Sequence, residues 1–299
     1  MSASAPFRLS SPSGLAVCVN GNGSIHRIDC GPVIVNAFLG NELEGGPANL
    51  YLRRHGARMQ WTPLLGPRGP GAVQLDPDAL HITGAWQGIA FRVSLVLAQS
   101  APAWFWHVAL ENTGADTRTV DLVCAQDIAL AQYATVRLNE YYLSQYVDHT
   151  PLQHASRGVV LAVRQNLGVG GRHPWLVAGS LRRAQSFCTD AIQLHGLSTR
   201  AGGAPAALQG ARLSGVRQQH EHSMAVLQDT PLPLAAGERA TLGFFAWYEP
   251  DHPGASNAGD LGFVDRALAL PEATAPAAAR DASSPAAAHG ASAPAAAHR

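Results

Sequence analysis

The feature that most constrains this chain is its punctuation. Short runs of β-branched, aromatic and Leu residues are cut by Gly, Pro, Asn and Asp clusters roughly every eight to twelve residues, the pattern of many short strands joined by tight turns. Residues 14–20 are one such run, Asn20-Gly21-Asn22-Gly23 a turn, and 24–29 the next run; the three together predict a hairpin with an Asn-Gly turn. Residues 33–37, 49–53 and 60–65 continue the series, and 79–85 leads through Trp86-Gln87-Gly88 into 89–99. The two strongest candidates are 104–112 and 118–131, separated by Asn112-Thr113-Gly114-Ala115-Asp116, a string of turn formers. Residues 132–157 hold no sustained period of 2 or 3.6. Strands resume at 158–165, 175–181, 212–217, 223–228 and 240–248.

Only residues 259–270 have helical spacing. Leu261, Val264 and Leu268 recur at intervals of three and four, with Asn257 placed to cap them. So many strands and so little helix predict an all-β chain, a large antiparallel two-sheet β-sandwich over residues 1–254. Alternation such as Val93, Leu95 and Leu97 around Ser94 fits a strand with one buried face. Residues 255–270 then start a helical linker. Residues 271–299 are roughly half Ala, with Pro, Ser, His and Gly, a composition expected to form a disordered tail because it carries nothing to bury.

Charge narrows the function classes. Twenty-one basic residues, all Arg, balance 21 acidic ones among 299 residues. Phosphate-neutralising nucleic-acid binders need clustered excess cation, and the pairs Arg53-Arg54 and Arg182-Arg183 sit among apolar or small residues, so no nucleic-acid partner is expected. The most apolar stretch, 89–97, contains Arg92 and Ser94 and falls far short of the roughly 20 residues of a spanning helix, so no membrane association is expected. The N-terminus lacks a hydrophobic leader, and the four scattered Cys form no Cys-x-x-Cys pair. Cytoplasmic residence is the expectation.

The chemistry-bearing residues concentrate in the aperiodic section. Arg137, Asn139, Glu140, Tyr142, Gln145, Tyr146, Asp148 and His149 fall in one short segment. Flat aromatic faces beside carboxylate, amide and guanidinium groups suit a sugar, and loops on a rigid scaffold are where binding residues collect. The alternative is a loop packed across a sheet with its Tyr rings covering apolar surface. Gly168-Val169-Gly170-Gly171-Arg172 departs from both phosphate-binding Gly patterns and predicts a hairpin loop. His220-Glu221-His222 lacks a third ligand at fixed spacing, so no metal is expected. Asp127, Glu140 and Asp148 are the carboxylates available for glycosidic chemistry, but spacing pairs no two of them across a bond.

Several strings in fixed order resemble a known family. They are RLSSPSGL at 8–15 with NGSI at 22–25, ANLYLR at 48–53 with LLGP at 64–67, and NEYYLSQYVDH at 139–149. Arg164-Gln165-Asn166, Pro174-Trp175-Leu176, Gly179-Ser180-Leu181, DAIQLHGL at 190–197 and FFAWYEPDHP at 244–253 follow. Over about residues 7–270 these resemble the 1,2-β-oligoglucan phosphorylases of glycoside hydrolase family 94, formerly glycosyltransferase family 36. The resemblance implies an N-terminal sandwich of the galactose-mutarotase-like supersandwich type, then linker helices, an (α/α)6 barrel and a C-terminal β-domain. It implies inverting phosphorolysis of β-glucooligosaccharides, with inorganic phosphate as co-substrate and no other cofactor.

In that family the general-acid Asp and most phosphate contacts lie in the barrel, so no residue of this chain inherits a catalytic role. The expected partners are a sugar, a barrel supplied in cis or in trans, and a second copy in a homodimer. The expectation is a truncated or split chain, inactive alone. The alternatives are a free-standing carbohydrate-binding or interaction module, and a non-functional remnant with an exposed apolar face.

Overall fold

The computed structural model describes residues 5–197, 204–219 and 222–275, with Glu140 described by its backbone alone. Five strands form a small sheet: β1 (Phe7–Ser10), β2 (Leu15–Val19), β3 (Ile25–Cys30), β4 (Val33–Ile34) and β12 (Ala131–Gln132), in that order across the sheet. The other strands belong to one long sheet. One half of it contains β5 (Asn49–Arg54), β6 (Gln60–Pro63), β11 (Arg118–Asp127), β16 (Ala184–Asp190), β17 (Ser223–Asp229) and β18 (Leu232–Leu234). The other contains β7 (Gly71–Asp76), β8 (Ala79–Trp86), β9 (Ile89–Leu97), β10 (Ala103–Asn112), β13 (Val147–His154), β14 (Gly158–Gln165), β15 (Trp175–Ser180) and β19 (Arg239–Glu249).

The halves meet at a single parallel bridge, Gly158 to Ala184. Gly158 sits at φ +71, and a Cβ there would lie 2.1 Å from the Ala184 carbonyl oxygen, so only glycine lets the backbones approach this closely. Either side of that corner the halves fold onto each other. Trp104, Trp106, Leu176 and Phe244 from one share the main core with Leu50, Leu122, Ala225 and Leu227 from the other. The small sheet adds Leu15, Val17, Val19, Ile25 and Ile28 to the same core. Each such Leu, Ile, Val or Phe side chain contributes about 1.5–3 kcal/mol by leaving water. The result is the all-β sandwich expected from the sequence, with one layer continuing into the other.

The connection from β10 to β11 through Asn112 crosses between layers. β10 pairs with β9 and β19, whereas β11 pairs with β5, β17 and β18. Asn112 holds the crossing: its amide donates to the carbonyls of Asp116 (2.8 Å) and Leu234 (2.9 Å). Both Arg pairs serve the fold. Arg53 is fully buried and makes two hydrogen bonds to Asp121, at 2.7 and 2.8 Å, and another to the Gly210 carbonyl at 2.7 Å. Arg182 pairs with the buried Asp229 at 3.3 Å. All four Cys are free thiols. Among the described residues no helix is long and apolar enough to cross a membrane.

Among the described residues three short α-helices accompany the strands: α1 (Tyr133–Asn139), α2 (Ala191–His195) and α3 (Leu261–Leu268). Asn257 caps the turn leading into α3, accepting from Gly259 N at 2.9 Å, while Asp260 accepts from Asn257 N at 2.8 Å. Val264 and Ala267, with Leu261, Phe263 and Leu268, then cover Phe105, Val160, Val177 and Trp247 on the outer face of the second half. Residues 271–275, assigned from composition to the tail, make a turn whose Glu272 accepts from Gln99 N at 3.0 Å and presents its carbonyl to His107 at 2.9 Å. Residues 276–299 lie outside the described chain.

Candidate functional site

The segment singled out by composition is only partly irregular. After β11 the chain turns through Leu130, fully buried at φ +53, a left-handed conformation that costs a branched residue energy. It then forms β12, α1 and a 3-10 turn, Glu140–Tyr146. Val136 and Leu143, seven residues apart, face inward onto Ile34, Ala37 and Ala129 in a small satellite core. Asp148 and His149, expected in an irregular loop, instead begin β13, which pairs along its whole length with β14. Pro151 is tolerated there because β13 is an edge strand.

Polar side chains from distant positions clamp the segment. Gln219 aims its amide at three carbonyls, those of Ser144 (3.3 Å), Gln145 (2.7 Å) and Val147 (3.0 Å). Ser144 Oγ accepts from Ser223 N at 3.0 Å, and Ser223 Oγ meets His149 Nε2 at 2.8 Å. Asn166 N donates to the Tyr146 carbonyl at 2.8 Å. Beneath lies Asp127, whose carboxylate accepts from Asn36 Nδ2 (3.0 Å), Ala37 N (2.9 Å) and Phe38 N (2.8 Å). Burial pushes its pKa up to about 6 against the pull of these donors.

The eight expected site residues separate by exposure. Arg137, Asn139 and Gln145 point to solvent, though Asn139 bonds back to the Thr135 carbonyl at 2.9 Å. Tyr142 is half exposed, and its hydroxyl shares a 2.5 Å hydrogen bond with that of Tyr146, the rings edge-to-face at 5.2 Å. That bond holds the Tyr146 phenol above its usual pKa. Asp148 pairs with Arg217 at 3.3 Å. His149 is buried, so it positions the segment and does not face a ligand. Burial, aided by Arg217, lowers its pKa to about 3, and it is neutral at pH 7. The Glu140 side chain lies outside the description.

Neighbours extend the aromatic surface. Tyr141 packs on Phe38 (5.1 Å) and His222 (5.8 Å), and Phe38 on His222 (4.7 Å). Burial lowers the His222 pKa to about 4 against the pull of Asp190. The other two members of its triplet, His220 and Glu221, lie outside the described residues. Phe38 and Gln219 had no sequence signal, and His222 stood out only as part of a triplet weighed for metal; each reaches the segment only through the sheet topology. What the arrangement offers is a row of Tyr hydroxyls and ring faces, flanked by a cation, two amides and an ion pair. It suits contact with a polyhydroxylated ligand. Asp127 and Asp148, both spent on local partners, are not poised as an acid–base pair.

The two-layer sandwich fold is shared with part of a longer solved chain. A bacterial glucoamylase solved in complex with acarbose has this fold, with a TM-score of 0.51 at 7% identity over 89% of this chain and 34% of that one. A putative aldose 1-epimerase from Escherichia coli K12 aligns over 82% of this chain and 98% of its own at 11% identity, with a TM-score of 0.42, too distant to argue from.

The chain belongs to the SOGP N-terminal domain family, whose model matches residues 18–246. A curated relative, the 1,2-β-oligoglucan phosphorylase of Listeria innocua serovar 6a, is 27% identical over 235 residues. That match bears out the resemblance carried by the ordered strings. It spans 78% of this chain and 21% of the relative, so the chain corresponds to about a fifth of that protein's length.

Proposed function

We propose that this chain is the sandwich domain of a carbohydrate-active phosphorylase handling β-1,2-linked glucooligosaccharides, and that its Tyr142–Tyr146 end lies along the path of the sugar. The observation that carries the reading is the match to the SOGP N-terminal domain family across most of the sandwich, joined by a curated relative that is an oligoglucan phosphorylase. The Tyr142–Tyr146 pair, its hydroxyls bonded to each other and Tyr142 half in water above a clamped backbone, supports the choice of end.

In this reading the domain supplies binding and orientation, and the bond-breaking groups lie in an (α/α)6 barrel joined in cis or meeting it in trans. Phosphate would act there as co-substrate, attacking the anomeric carbon as an acid protonates the leaving oxygen. Arg137, Asn139 and Gln145 would meet sugar hydroxyls, and Tyr142 and Tyr146 a ring face. Asp148 would orient Arg217 beside them.

Calorimetric titration of the chain with short β-1,2-glucooligosaccharides tests this. Binding at about millimolar Kd, weakened about tenfold by Tyr142→Ala with Tyr146→Ala, is the expected result. Unchanged affinity in that variant would remove this end from the sugar path. Release of a sugar 1-phosphate by the chain alone would overturn the assignment of catalysis to a barrel.

A further inference from the structure

Away from the aromatic end, a cavity of about 240 Å³ opens between the small sheet and the strands β10, β15 and β19. Four prolines from four separate segments, Pro32, Pro102, Pro174 and Pro250, contribute to its wall beside Val33 and Val169. Its other lining groups include two acids and one cation. Tyr248 is only 4% exposed, and its hydroxyl makes no hydrogen bond to any described residue. Cys30 is a free, buried thiol. Burial keeps both groups protonated at neutral pH, and Cys30 lies near enough to act on the Tyr248 phenol.

Arg172 stands at the mouth on the Gly-rich loop, exposed, near enough to act on the Tyr248 phenol. It forms no ion pair with a described residue. The nearby carboxylates are engaged elsewhere: Asp29 by Arg27 at 2.9 Å, Glu249 by Trp247 Nε1 at 2.7 Å and Asp251 by His173 N at 2.9 Å. Gly170 and Gly171 beside it hold positive φ with open space around them, so the loop can adjust around an occupant.

The cavity therefore joins an unpaired guanidinium, an unpartnered buried phenol and apolar walls. An anion suits the guanidinium, which grips a carboxylate through two parallel hydrogen bonds. The proline walls offer almost no partners for hydroxyls, and each hydroxyl buried unpaired is penalised, so a sugar fits poorly. The volume equals that of roughly eight waters, below the range of about 300–1,000 Å³ for drug-sized ligands. We propose that this cavity binds a small free carboxylic acid with a compact apolar body, its carboxylate on Arg172 and its body between the prolines, donated to by Tyr248. The site is separate from the aromatic end and does not depend on the sugar reading.

Ligand-observed fluorine NMR of the full chain with 4-fluorophenylacetate tests the proposal. The expected Kd is about 1 mM. Arg172→Gln, on an exposed loop, should weaken it at least about fivefold, leaving the neutral amide analogue unaffected. Ser13→Trp, placed at the mouth, should abolish binding of both probes. No line broadening up to about 10 mM, equal affinity in Arg172→Gln, retained binding in Ser13→Trp, or displacement by glucose would each overturn it.

Discussion

Two aromatic clusters of the molecule differ in what covers them. Trp175, Trp247, Phe263 and His252 lie where the C-terminal segment crosses the outer face of the sandwich. Trp175 is fully buried, stacked on His252 at 4.9 Å, with its indole N–H on Ser256 Oγ at 2.8 Å. His252 is held in turn by Asp260 at 2.8 Å. At the other end Tyr141 and Tyr142 keep 44% and 50% of their surface in water, although the backbone beneath them is clamped by Gln219, Ser223 and Asn166. Both clusters are equally conspicuous as composition. The first is spent on holding the chain together; the second is held rigid and left open, which is the condition for binding something else.

Substitutions can break that contrast, beginning with the largest effect. Trp175→Ala should cost about 3–5 kcal/mol in urea unfolding, because it empties a packed site and strands Ser256, and the 255–275 segment should become protease-sensitive. A change of less than about 1 kcal/mol would show that the covered cluster does not hold the segment.

Acidification should act mainly at the open end. His149 and His222 have folded pKa values of about 3 and about 4, below the ordinary 6.5, so the unfolded chain takes up their protons first. Stability is therefore lost as pH falls through about 6.5 towards 4, by up to about 1.4 kcal/mol per pH unit for each group. Asp127, raised from 3.8 to about 6, works in the opposite direction, since the folded state binds its proton first. Urea midpoints measured from about pH 7 to pH 4 should drop for the parent chain and drop less for His149→Asn. Parallel curves would exclude a buried neutral His149 as the cause.

Gln219→Ala should cost about 1–2 kcal/mol and raise hydrogen exchange selectively in residues 140–147. A uniform rise across the sheet would mean that the clamp is not local. Smallest of all, Tyr142→Ala should move the unfolding free energy by no more than about 0.5 kcal/mol. A larger loss would make the open cluster structural after all.

The sequence displayed the elements whose signals are local. The turn at Trp86-Gln87-Gly88 is a two-residue hairpin turn with both central residues at positive φ, 49° and 79°. The C-terminal helical segment begins where its Asn257 cap announces it, with a 3-10 turn that runs into α3. The failures have local causes too. β13 was hidden because Asp148, His149, Thr150 and Pro151 read as loop chemistry, yet an edge strand accepts them. Residues 212–217 carry strand-like composition but join no ladder. Their amides are taken by side chains and single carbonyls instead: Leu213 N donates to Ser186 Oγ and Gln228 Oε1, and Gly215 N to Phe187 O.

At the open end the Tyr pair was visible from spacing within one segment. The partners Phe38, Gln219 and Ser223 stand about 70 to 100 residues away from it, and only the curled sheet brings them there. No one-dimensional pattern records such a meeting.

β19 lies between β10 and β15, both of which precede it in the chain. A ribosome extends the chain from its N-terminus, so β10 and β15 are made long before the strand that joins them. Until residues 239–249 emerge, each presents a bare row of amide and carbonyl groups, the edge at which chains pair wrongly. The sandwich is thus closed by the last strand of the described residues, and its solubility during synthesis depends on how those two edges are shielded while they wait.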